Sequence, residues 1–572
     1  MMSETYSDLI SKYKKLKKQY LSHKNLQPIK VAILSGSTIG HIKLLLELAL
    51  LKEGISPEFH EGQYNNYYEE GAFDNPSLKA FNPDYVYIHT TSRNIDFNDT
   101  NVIYDRLTQV WDNISNKYGA VIIQNNFEPL PYRLLGNSDV YYNKGRHYAI
   151  NALNERLYSH ARNNTNFYIN DINYICAMYG GEKWWNDDIW YAFKYALDLD
   201  AVPLLCANIT KIIKSVMGFN KKALILDLDN TLWGGIIGED GIDGIQLGDE
   251  TPEGMAYRDL QNYLKDLSNI GVMLNVVSKN EDVIARKGFE HFSSVLKADD
   301  FISFKANWEP KHKNIIDMAK ELNIGLDSMV FIDDTPAEQD IVKHYIPEVS
   351  VPHINDPINT IRIIDQHGFF EKTSLSEEDQ LRNKYYQQNN QRENSIKTYS
   401  DIKDYLKSLE MKCIVDSFNQ VNAERVTQLI NKTNQFNLTT KRYSSIVDLI
   451  PDREYITLCA RLLDKFGDNG IVTALIAGVK DNIAIIDLWV MSCRVFKRDL
   501  EFVFFDKFVD KCKEFGIITV KGYYVPSGKN TIVSALYTNL GFQRTHDTDG
   551  NEIFTLDIAK YKPSGISYIH VG

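Results

Sequence analysis

Two aspartates directly after a short apolar run constrain this chain more than any other feature. The run 223–226 (Ala-Leu-Ile-Leu) is followed by Asp227 and Asp229. Alternation along a strand puts both carboxylates on one side. At the carboxyl end of a buried parallel strand, they face the crevice where open α/β sheets bind ligands. Two carboxylates this close repel each other unless a cation lies between them, and Mg²⁺ prefers such oxygen ligands.

Two further apolar runs end in polar residues that suit the same site. The run 271–277 predicts a second strand, which is followed by the hydroxyl of Ser278. The run 329–332 predicts a third strand, which is followed by Asp333 and Asp334. Strands of a parallel sheet bring such residues to one edge.

A lysine at a predicted helix start completes this set. Pro310 is a suitable first-turn residue for the amphipathic pattern that follows it. Lys311 then lies at a helix N-terminus, where anions are favoured. Lys305 is an alternative, and we favour Lys311 for its position.

These four segments, in this order, resemble the four motifs of the haloacid dehalogenase (HAD) superfamily of phosphotransferases. The resemblance implies that Asp227 is a nucleophile that takes a phosphoryl group and that Asp229 is a general acid. It implies phosphoryl-binding roles for Thr231, Ser278 and Lys311. It also implies a Mg²⁺ site formed by Asp227, the backbone carbonyl of Asp229, Asp333 and Asp334. Each motif alone is weak, but chance rarely produces all four in order.

The extended first motif resembles a narrower group, the FkbH-like proteins of HAD subfamily IIIC. Six segments carry this resemblance: 231–241, 308–311, 331–338, 431–438, 464–470 and 491–494. Such proteins are implied to take a glyceryl group from a phosphorylated three-carbon acyl donor, 1,3-bisphosphoglycerate. They are implied to pass it to the thiol of an acyl carrier protein, in a polyketide-type or surface-polysaccharide pathway.

Length and composition agree with a multi-domain enzyme. The 572 residues, 44% of them hydrophobic, suggest three or four domains. No apolar run is long enough to span a membrane, and the N-terminus lacks the apolar core of a secretory signal. The six cysteines are scattered, which indicates reduced thiols, a cytoplasmic location and no zinc site. The net charge of −12 argues against a nucleic-acid partner.

We predict an α/β fold class with three domains: a parallel-sheet SGNH-like domain, a doubly wound HAD-like Rossmannoid domain and an α+β GNAT-like domain. The predicted ranges are an N-terminal helical extension (1–27), the SGNH-hydrolase-like domain (28–219), the HAD-like domain (220–370), a polar, exposed helical linker (371–400) and the GNAT-like acyltransferase domain (401–572).

The first of these domains is expected to be a non-catalytic scaffold or binding domain. Its strands alternate with helical segments, which indicates a parallel sheet. Ser37 falls where an SGNH nucleophile would lie, but no Asp-x-x-His follows near the end of the domain. A serine without a base is a poor nucleophile.

The last domain resembles GNAT acyltransferases, which cradle a pyrophosphate at a helix start. The corresponding segment carries Lys497 and Asp499 where glycines would be expected. We expect Arg494, Lys497 and Arg498 to bind the phosphate of a phosphopantetheine arm carried by the partner; a solvated turn is the alternative. Cys493 is either an acyl-carrying nucleophile, favoured by these cations, or a small buried hydrophobic residue.

A polar run within this domain has two interpretations. Lys432, Asn434 and Asn437 are too polar to pack in a core and are predicted to bind a ligand. The same run could instead cap the helix predicted before it.

Three functions are compatible with these features. The first is a Mg²⁺-dependent enzyme that dephosphorylates a phosphorylated acyl donor and transfers the acyl group to an acyl carrier protein. The second is a simple small-metabolite phosphatase with structural flanking domains. The third is a non-catalytic scaffold in a biosynthetic complex, against which the intact acidic motifs argue. Phosphate release with and without a carrier protein separates the first two.

Overall fold

The computed structural model describes residues 4–23, 26–354, 356–396, 399, 401–443, 446–450, 454–527, 529–548 and 551–572. It divides into two compact units, Met1–Val216 and Met217–Gly572. The described strands form two parallel sheets and one mixed sheet, so the predicted α/β fold class is confirmed. The finer domain boundaries stay predictions.

The first unit is built on a five-stranded parallel sheet with the order β2-β1-β3-β4-β5. Its strands are β1 (Gln27–Ser35), β2 (Ile55–Glu61), β3 (Tyr85–His89), β4 (Val121–Asn125) and β5 (Phe167–Asn170). Its helices are α1 (Tyr6–Leu21), α2 (Gly40–Lys52), α3 (Tyr67–Ala72), α4 (Pro76–Phe81), α5 (Asn101–Tyr118), α6 (Arg146–Asn163), α7 (Ile172–Tyr179), α8 (Gly181–Trp184), α9 (Asp187–Phe193) and α10 (Val202–Val216). The parallel sheet predicted for this region is confirmed.

The second unit begins with a four-stranded parallel sheet of order β8-β7-β6-β9. Its strands are β6 (Ala223–Leu226), β7 (Met273–Ser278), β8 (Ser303–Ala306) and β9 (Met329–Ile332). The helices around it are α11 (Ile237–Gly244), α12 (Pro252–Asn269), α13 (Asp282–Lys287), α14 (Lys311–Leu322), α15 (Pro336–Tyr345) and α16 (Pro357–His367). Every residue of β6 is buried, as an apolar strand in the middle of a parallel sheet requires.

The rest of the second unit contains a mixed eight-stranded sheet of order β15-β16-β14-β13-β12-β11-β10-β17. Its strands are β10 (Met411–Asp416), β11 (Tyr455–Asp464), β12 (Gly467–Lys480), β13 (Ile483–Met491), β14 (Thr519–Tyr524), β15 (Gln543–Thr548), β16 (Asn551–Asp557) and β17 (Ile569–Val571). Its α-helices are α17 (Glu377–Gln380), α18 (Arg382–Ile396), α19 (Ile402–Ser408), α20 (Ala423–Lys432), α21 (Leu500–Glu514) and α22 (Leu536–Asn539).

Short 3₁₀ helices occur in both units, at Ser92–Asn94, Gly136–Val140, Leu199–Ala201, Gly288–Glu290, Ala298–Asp300, Leu326–Ser328, Val447–Leu449, Cys493–Val495, Thr531–Val533 and Ile558–Lys560. Between residues 531 and 540 the chain forms a 3₁₀ turn and the single turn α22 rather than one continuous helix. No described helix has the length and apolar character needed to cross a membrane.

The polar segment before the mixed sheet is helical, but it is not the exposed linker that its composition suggests. In α18, Tyr385, Tyr386 and Arg392 are buried. Side-chain amides of this helix donate hydrogen bonds to backbone carbonyls of other segments. For example, Asn383 Nδ2 donates to the carbonyl of Ser268 at 2.8 Å. Burial through hydrogen bonds leaves no apolar periodicity, so the hydrophobic pattern could not reveal this buried face.

A buried ionic cluster connects α18 to the mixed sheet. Asp464 accepts hydrogen bonds from Arg392 at 2.7 and 2.9 Å and from Arg498 at 3.0 Å, and its own side chain is fully buried. Arg498 also donates to Asn389 at 3.0 Å. The carboxylate therefore neutralises part of the charge of two buried guanidinium groups.

We predict that Asp464→Ala destabilises the second unit by about 3–5 kcal/mol, because both guanidinium groups lose their buried counter-ion. Denaturant unfolding followed by tryptophan fluorescence measures this loss. Asp416→Ala removes an exposed carboxylate from the neighbouring strand and should cost less than about 0.5 kcal/mol. Equal stability of the two variants would contradict the structural role of Asp464.

Candidate functional site

The predicted acidic site lies at the point where the strand order of the four-stranded sheet reverses. Asp227 directly follows the central strand β6, and Asp333 directly follows its neighbour β9. The N–H of Asp227 donates to the carbonyl of Ile332 at 3.0 Å, which holds the two strand ends together. Ligands of open α/β sheets bind in the crevice at such a switch point.

Lys311 lies between these two aspartates. Its Nζ is 2.8 Å from Asp227 Oδ2 and 2.6 Å from Asp333 Oδ2, and only 4% of its side chain is exposed. Burial disfavours the ammonium, but Asp227 and Asp333 outweigh burial and raise the pKa of Lys311 to about 12. The alternative, Lys305, pairs instead with Glu321 at 3.0 Å. Lys311 thus remains protonated and holds both carboxylates.

Three carboxylates form a group that suits a divalent cation. Oxygen atoms of Asp227, Asp333 and Asp334 all lie within 4.8 Å of one another. Asp227 Oδ1 is buried and has no hydrogen-bond partner. Burial, followed by repulsion from Asp227, raises the pKa of Asp333 to about 6. With Lys311 the group carries a formal charge of −3 + 1 = −2, and hard oxygen ligands fit Mg²⁺.

Asp229 is held by donors that the sequence analysis did not single out. Its Oδ1 accepts hydrogen bonds from Trp233 Nε1 and from the N–H of Ile237, both at 3.0 Å. Its Oδ2 accepts one from Asn280 Nδ2 at 2.8 Å. Three donors orient this carboxylate as an acceptor. The one sequence feature that could have pointed to Asn280 as a donor is its position two residues after Ser278.

The predicted phosphoryl-binding hydroxyls lie in the same part of the unit. Ser278 ends β7, beside β6, and its Oγ accepts a hydrogen bond from Asn280 Nδ2 at 3.2 Å. Thr231 Oγ1 is buried and has no partner. Both residues are nearly inaccessible, so their hydroxyls are shielded from bulk solvent.

Cys493 lies at a different place in the second unit, in the 3₁₀ turn after β13. It is half-buried, and its Sγ is 3.7 Å from Tyr386 Oη in α18. Its carbonyl accepts a hydrogen bond from Asn323 Nδ2 at 3.1 Å. Burial lowers the pKa of Lys222, whereas nearby Cys493 acts to raise it. Cys493 therefore contacts α18 and the C-terminal end of α14.

The three predicted phosphate-binding cations do not form one surface. The guanidinium of Arg494 lies 4.4 Å from the ring centroid of Tyr385. Lys497 is exposed. Arg498 is 7% exposed and is bonded within the ionic cluster described above. The backbone at Lys497 and Asp499 has φ of +62° and +60°, a left-handed conformation that glycine adopts most easily.

The side chains of the polar run 432–437 make hydrogen bonds and an ion pair with other residues of the second unit. Asn437 Oδ1 accepts from the N–H of Thr440 at 2.9 Å. Asn434 Oδ1 accepts from Arg442 at 2.5 Å. Lys432 Nζ lies 2.6 Å from Asp379. These contacts join the run to other segments of the second unit, and its predicted role in ligand binding stays a prediction.

The fold and these clusters define an α/β protein with a buried carboxylate–lysine group at a sheet switch point. Residues 30–214 match a family model described as the FkbH N-terminal domain. The structure is similar to the N-terminal part of the protein BF1531 from Bacteroides fragilis, which contains a phosphatase domain and was crystallised with Mg. The identity is 30% and the TM-score 0.59, over 63% of this chain and 99% of that chain.

Two acetyltransferases show a weaker likeness. The ribosomal-protein-S18-alanine N-acetyltransferase from Escherichia coli is 13% identical (TM-score 0.21), over 27% of this chain and 99% of that chain. A GNAT-family acetyltransferase from Streptococcus pneumoniae is 13% identical (TM-score 0.21), over 25% of this chain and 98% of that chain. No curated protein matches the sequence.

The 30% identity over nearly all of the Bacteroides protein, together with the domain match, identifies the family. This chain belongs to the family of that protein, and its own residues 30–214 match the FkbH N-terminal domain.

We predict that Mg²⁺ binds the full-length protein and raises its melting temperature, because a ligand that binds only the folded state stabilises it. Asp333→Asn should abolish this shift, since it removes an anionic ligand. Asp282→Asn, an exposed position paired with Arg286, serves as the control and should retain the shift. Calorimetric titration with Mg²⁺ gives the affinities. Unchanged Mg²⁺ affinity in Asp333→Asn would place the ion elsewhere.

Proposed function

We propose that this chain is a Mg²⁺-dependent phosphatase or phosphotransferase that uses Asp227 as its nucleophile. One observation carries the proposal: Lys311 joins Asp227 and Asp333 across the switch point, while Asp227 Oδ1 has no partner. The Bacteroides relative, described as containing a phosphatase domain complexed with Mg, supports it. The cation would be held by Asp227, the backbone carbonyl of Asp229, Asp333 and Asp334, and it would neutralise phosphoryl charge.

In the proposed first step, Asp227 attacks the phosphorus atom. The bond between phosphorus and the leaving oxygen breaks as an aspartyl phosphate forms. Lys311 fixes the attacking carboxylate and adds positive charge beside the phosphoryl oxygens. The hydroxyls of Thr231 and Ser278 would donate hydrogen bonds to those oxygens.

Asp229 supplies the proton chemistry. In the proposed first step, a protonated Asp229 donates its proton to the leaving oxygen, as the family resemblance implies. The hydrogen bonds from Trp233, Ile237 and Asn280 suit the second step better. There the carboxylate accepts a proton from the water that attacks the aspartyl phosphate, and inorganic phosphate and free Asp227 result.

The proposed activity also includes transfer of an acyl group by this chain. The donor is a phosphorylated three-carbon acyl phosphate of the 1,3-bisphosphoglycerate type. The thiolate of Cys493 attacks the acyl carbon, and the carbon–oxygen bond to the phosphate breaks. The phosphopantetheine thiol of an acyl carrier protein then takes the acyl group by thioester exchange. The exposure of Cys493 supports its choice as the thiol, because the other five cysteines are buried.

A simple small-metabolite phosphatase is the second candidate. The burial of Arg498 favours it, because this residue was expected to bind the phosphopantetheine phosphate. Asn437, which was expected to bind a ligand, is instead bonded to the N–H of Thr440. In this case the mixed sheet has a structural role only.

We predict that Asp227→Asn lowers Mg²⁺-dependent phosphate release by several orders of magnitude, because it removes the nucleophile. Lys311→Ala should lower release by about 10²–10³-fold through loss of charge stabilisation. Lys305→Ala is the matched control, and its rate should stay close to that of the unchanged protein. Phosphate release from small phosphorylated acids measures all three. If Lys305→Ala proved more damaging than Lys311→Ala, the assignment of the lysine would be wrong.

We predict that Cys493→Ala abolishes carrier-protein loading but leaves phosphomonoester hydrolysis intact. Lys497→Glu should weaken loading and reduce its salt dependence, because it removes an exposed cation that would attract an acidic carrier. Lys480→Glu makes the same change at another exposed lysine of the mixed sheet and should not affect loading. Mass spectrometry of the carrier gives loading. Hydrolysis without any loading, under all conditions, would support the second candidate.

A further inference from the structure

The first unit carries a cluster of buried polar side chains that the proposed function does not use. They lie where β1, β3 and β4, neighbours in the sheet, reach their carboxyl ends. Their residues and exposed fractions are Ser37 (1%), His41 (3%), His89 (1%), Ser92 (1%) and Glu128 (0%). The strand order reverses at β1, so this edge is a switch point where such sheets bind ligands.

Each of these side chains has a polar atom without a hydrogen-bond partner. The atoms are Ser37 Oγ, both ring nitrogens of His41, His89 Nε2, Ser92 Oγ and Glu128 Oε1, with the indole Nε1 of Trp184 beside them. Buried polar atoms are nearly always paired, because an unmade bond leaves the lost hydration of the group uncompensated. Asp227 Oδ1 and Thr231 Oγ1 of the acidic site have the same property.

Backbone and side-chain contacts fix this cluster on adjacent strand ends. The N–H of Gly36 donates to the carbonyl of His89 at 3.0 Å, which joins the loop of Ser37 to β3. His89 Nδ1 lies 2.7 Å from Tyr87 Oη and 3.1 Å from Asn125 Nδ2. The N–H of Ser92 donates to Glu128 Oε2 at 3.2 Å, and the side chains of Ser92 and Trp184 lie beside the same carboxyl group.

The cluster lacks positive charge. Burial lowers the pKa of His41 to about 4 and that of His89 to about 3, so both rings are neutral at pH 7. Burial also raises the pKa of Glu128, even though Ser92 and Trp184 beside it act to lower it. The neighbouring Arg93 is bonded to Asp187 at 2.9 Å and packs on two tryptophan rings. An anion would find no available counter-charge in this cluster.

The unpartnered atoms match hydroxyl groups. Hydroxyl and imidazole groups of the protein can donate or accept a hydrogen bond, and a ligand hydroxyl can pair with either a donor or an acceptor. Three adjacent strand ends span about 10 Å, a width suited to a sugar ring with its substituents. Trp184 and Tyr195, whose ring centroid is 4.0 Å from that of His41, supply apolar faces.

A segment from Gly180 to Tyr195 covers this edge. The N–H of Thr38 donates to the carbonyl of Lys194 at 3.1 Å. Gly180 and Lys194 have φ of +110° and +59°, so the segment starts and ends near left-handed residues. It supplies both Trp184 and Tyr195 to the cluster, and it must shift to admit a ligand.

We propose that the first unit contains a binding site for a neutral, hydroxyl-rich small molecule of monosaccharide size, held by Ser37, His41, His89, Ser92 and Glu128. This site is separate from phosphate release at Asp227. It also differs from a serine-hydrolase site, because it binds its ligand without breaking an ester bond.

The test uses the full-length protein and saturation-transfer NMR with calorimetry. The neutral probes are D-glucose and N-acetyl-D-glucosamine, and the charged counterpart is D-glucuronate. We expect saturable binding of a neutral probe and binding of glucuronate weaker by at least about tenfold. His89→Gln and Glu128→Gln should each weaken binding by about tenfold or more, through lost hydrogen bonds. Phosphate release should be unchanged in both variants.

His23→Gln, at an exposed position, is the control for the histidine change and should leave binding intact. Crystals soaked in the neutral probes give a second readout that does not depend on the variants. Density for a sugar in contact with His89 and Glu128 would support the proposal. Ordered water only, with no saturable binding of either neutral probe, would overturn it. Binding of glucuronate as tight as that of the neutral probes would also overturn it.

Discussion

The ammonium of Lys311, shared by Asp227 and Asp333, is the interaction on which the acidic site depends. A buried cation requires close counter-ions, and breaking such a pair costs about 3–5 kcal/mol. The pair also keeps the ends of β6 and β9 together, because each carboxylate directly follows its strand. The three carboxylates retain two negative charges beyond the one that Lys311 neutralises. This excess suits a divalent cation, as the proposed function requires.

Two other carboxylates of the second unit are also shared between charged partners, but these clusters stabilise the fold. Asp464 is shared by Arg392 and Arg498, and Asp379 is shared by Arg382 and Lys432. In both cases one buried carboxylate holds two cations from separate segments. The Asp464 cluster attaches α18 to the mixed sheet, and the Asp379 cluster attaches α17 to α20. Cations that the sequence suggested for ligand binding are thereby used to join parts of the fold.

The two units differ in how their sheet edges are charged. The edge at Asp227 is anionic and suits a metal ion and a phosphate. The edge at His89 and Glu128 has neutral imidazoles and a carboxyl group whose pKa is raised by burial. Both edges lie at switch points of parallel sheets, so the geometry is shared and the side chains decide the chemistry. This contrast is the reason for proposing two different kinds of ligand for two sheets of one architecture.

The sequence alone determined the parallel strands and the residues of the acidic site, because each apolar run ends in the polar group that the crevice uses. It also determined the choice of Lys311 through its helix start. It did not reveal Asn280 and Trp233 as donors to Asp229, or the burial of α18, because hydrogen bonds between distant segments leave no periodic pattern. Only the tertiary structure decided which cations remain exposed: Lys497 reaches solvent, whereas Arg498 is buried against Asp464. The physical reason is that neighbouring charged residues have no fixed partners until the chain folds, and burial then makes pairing obligatory.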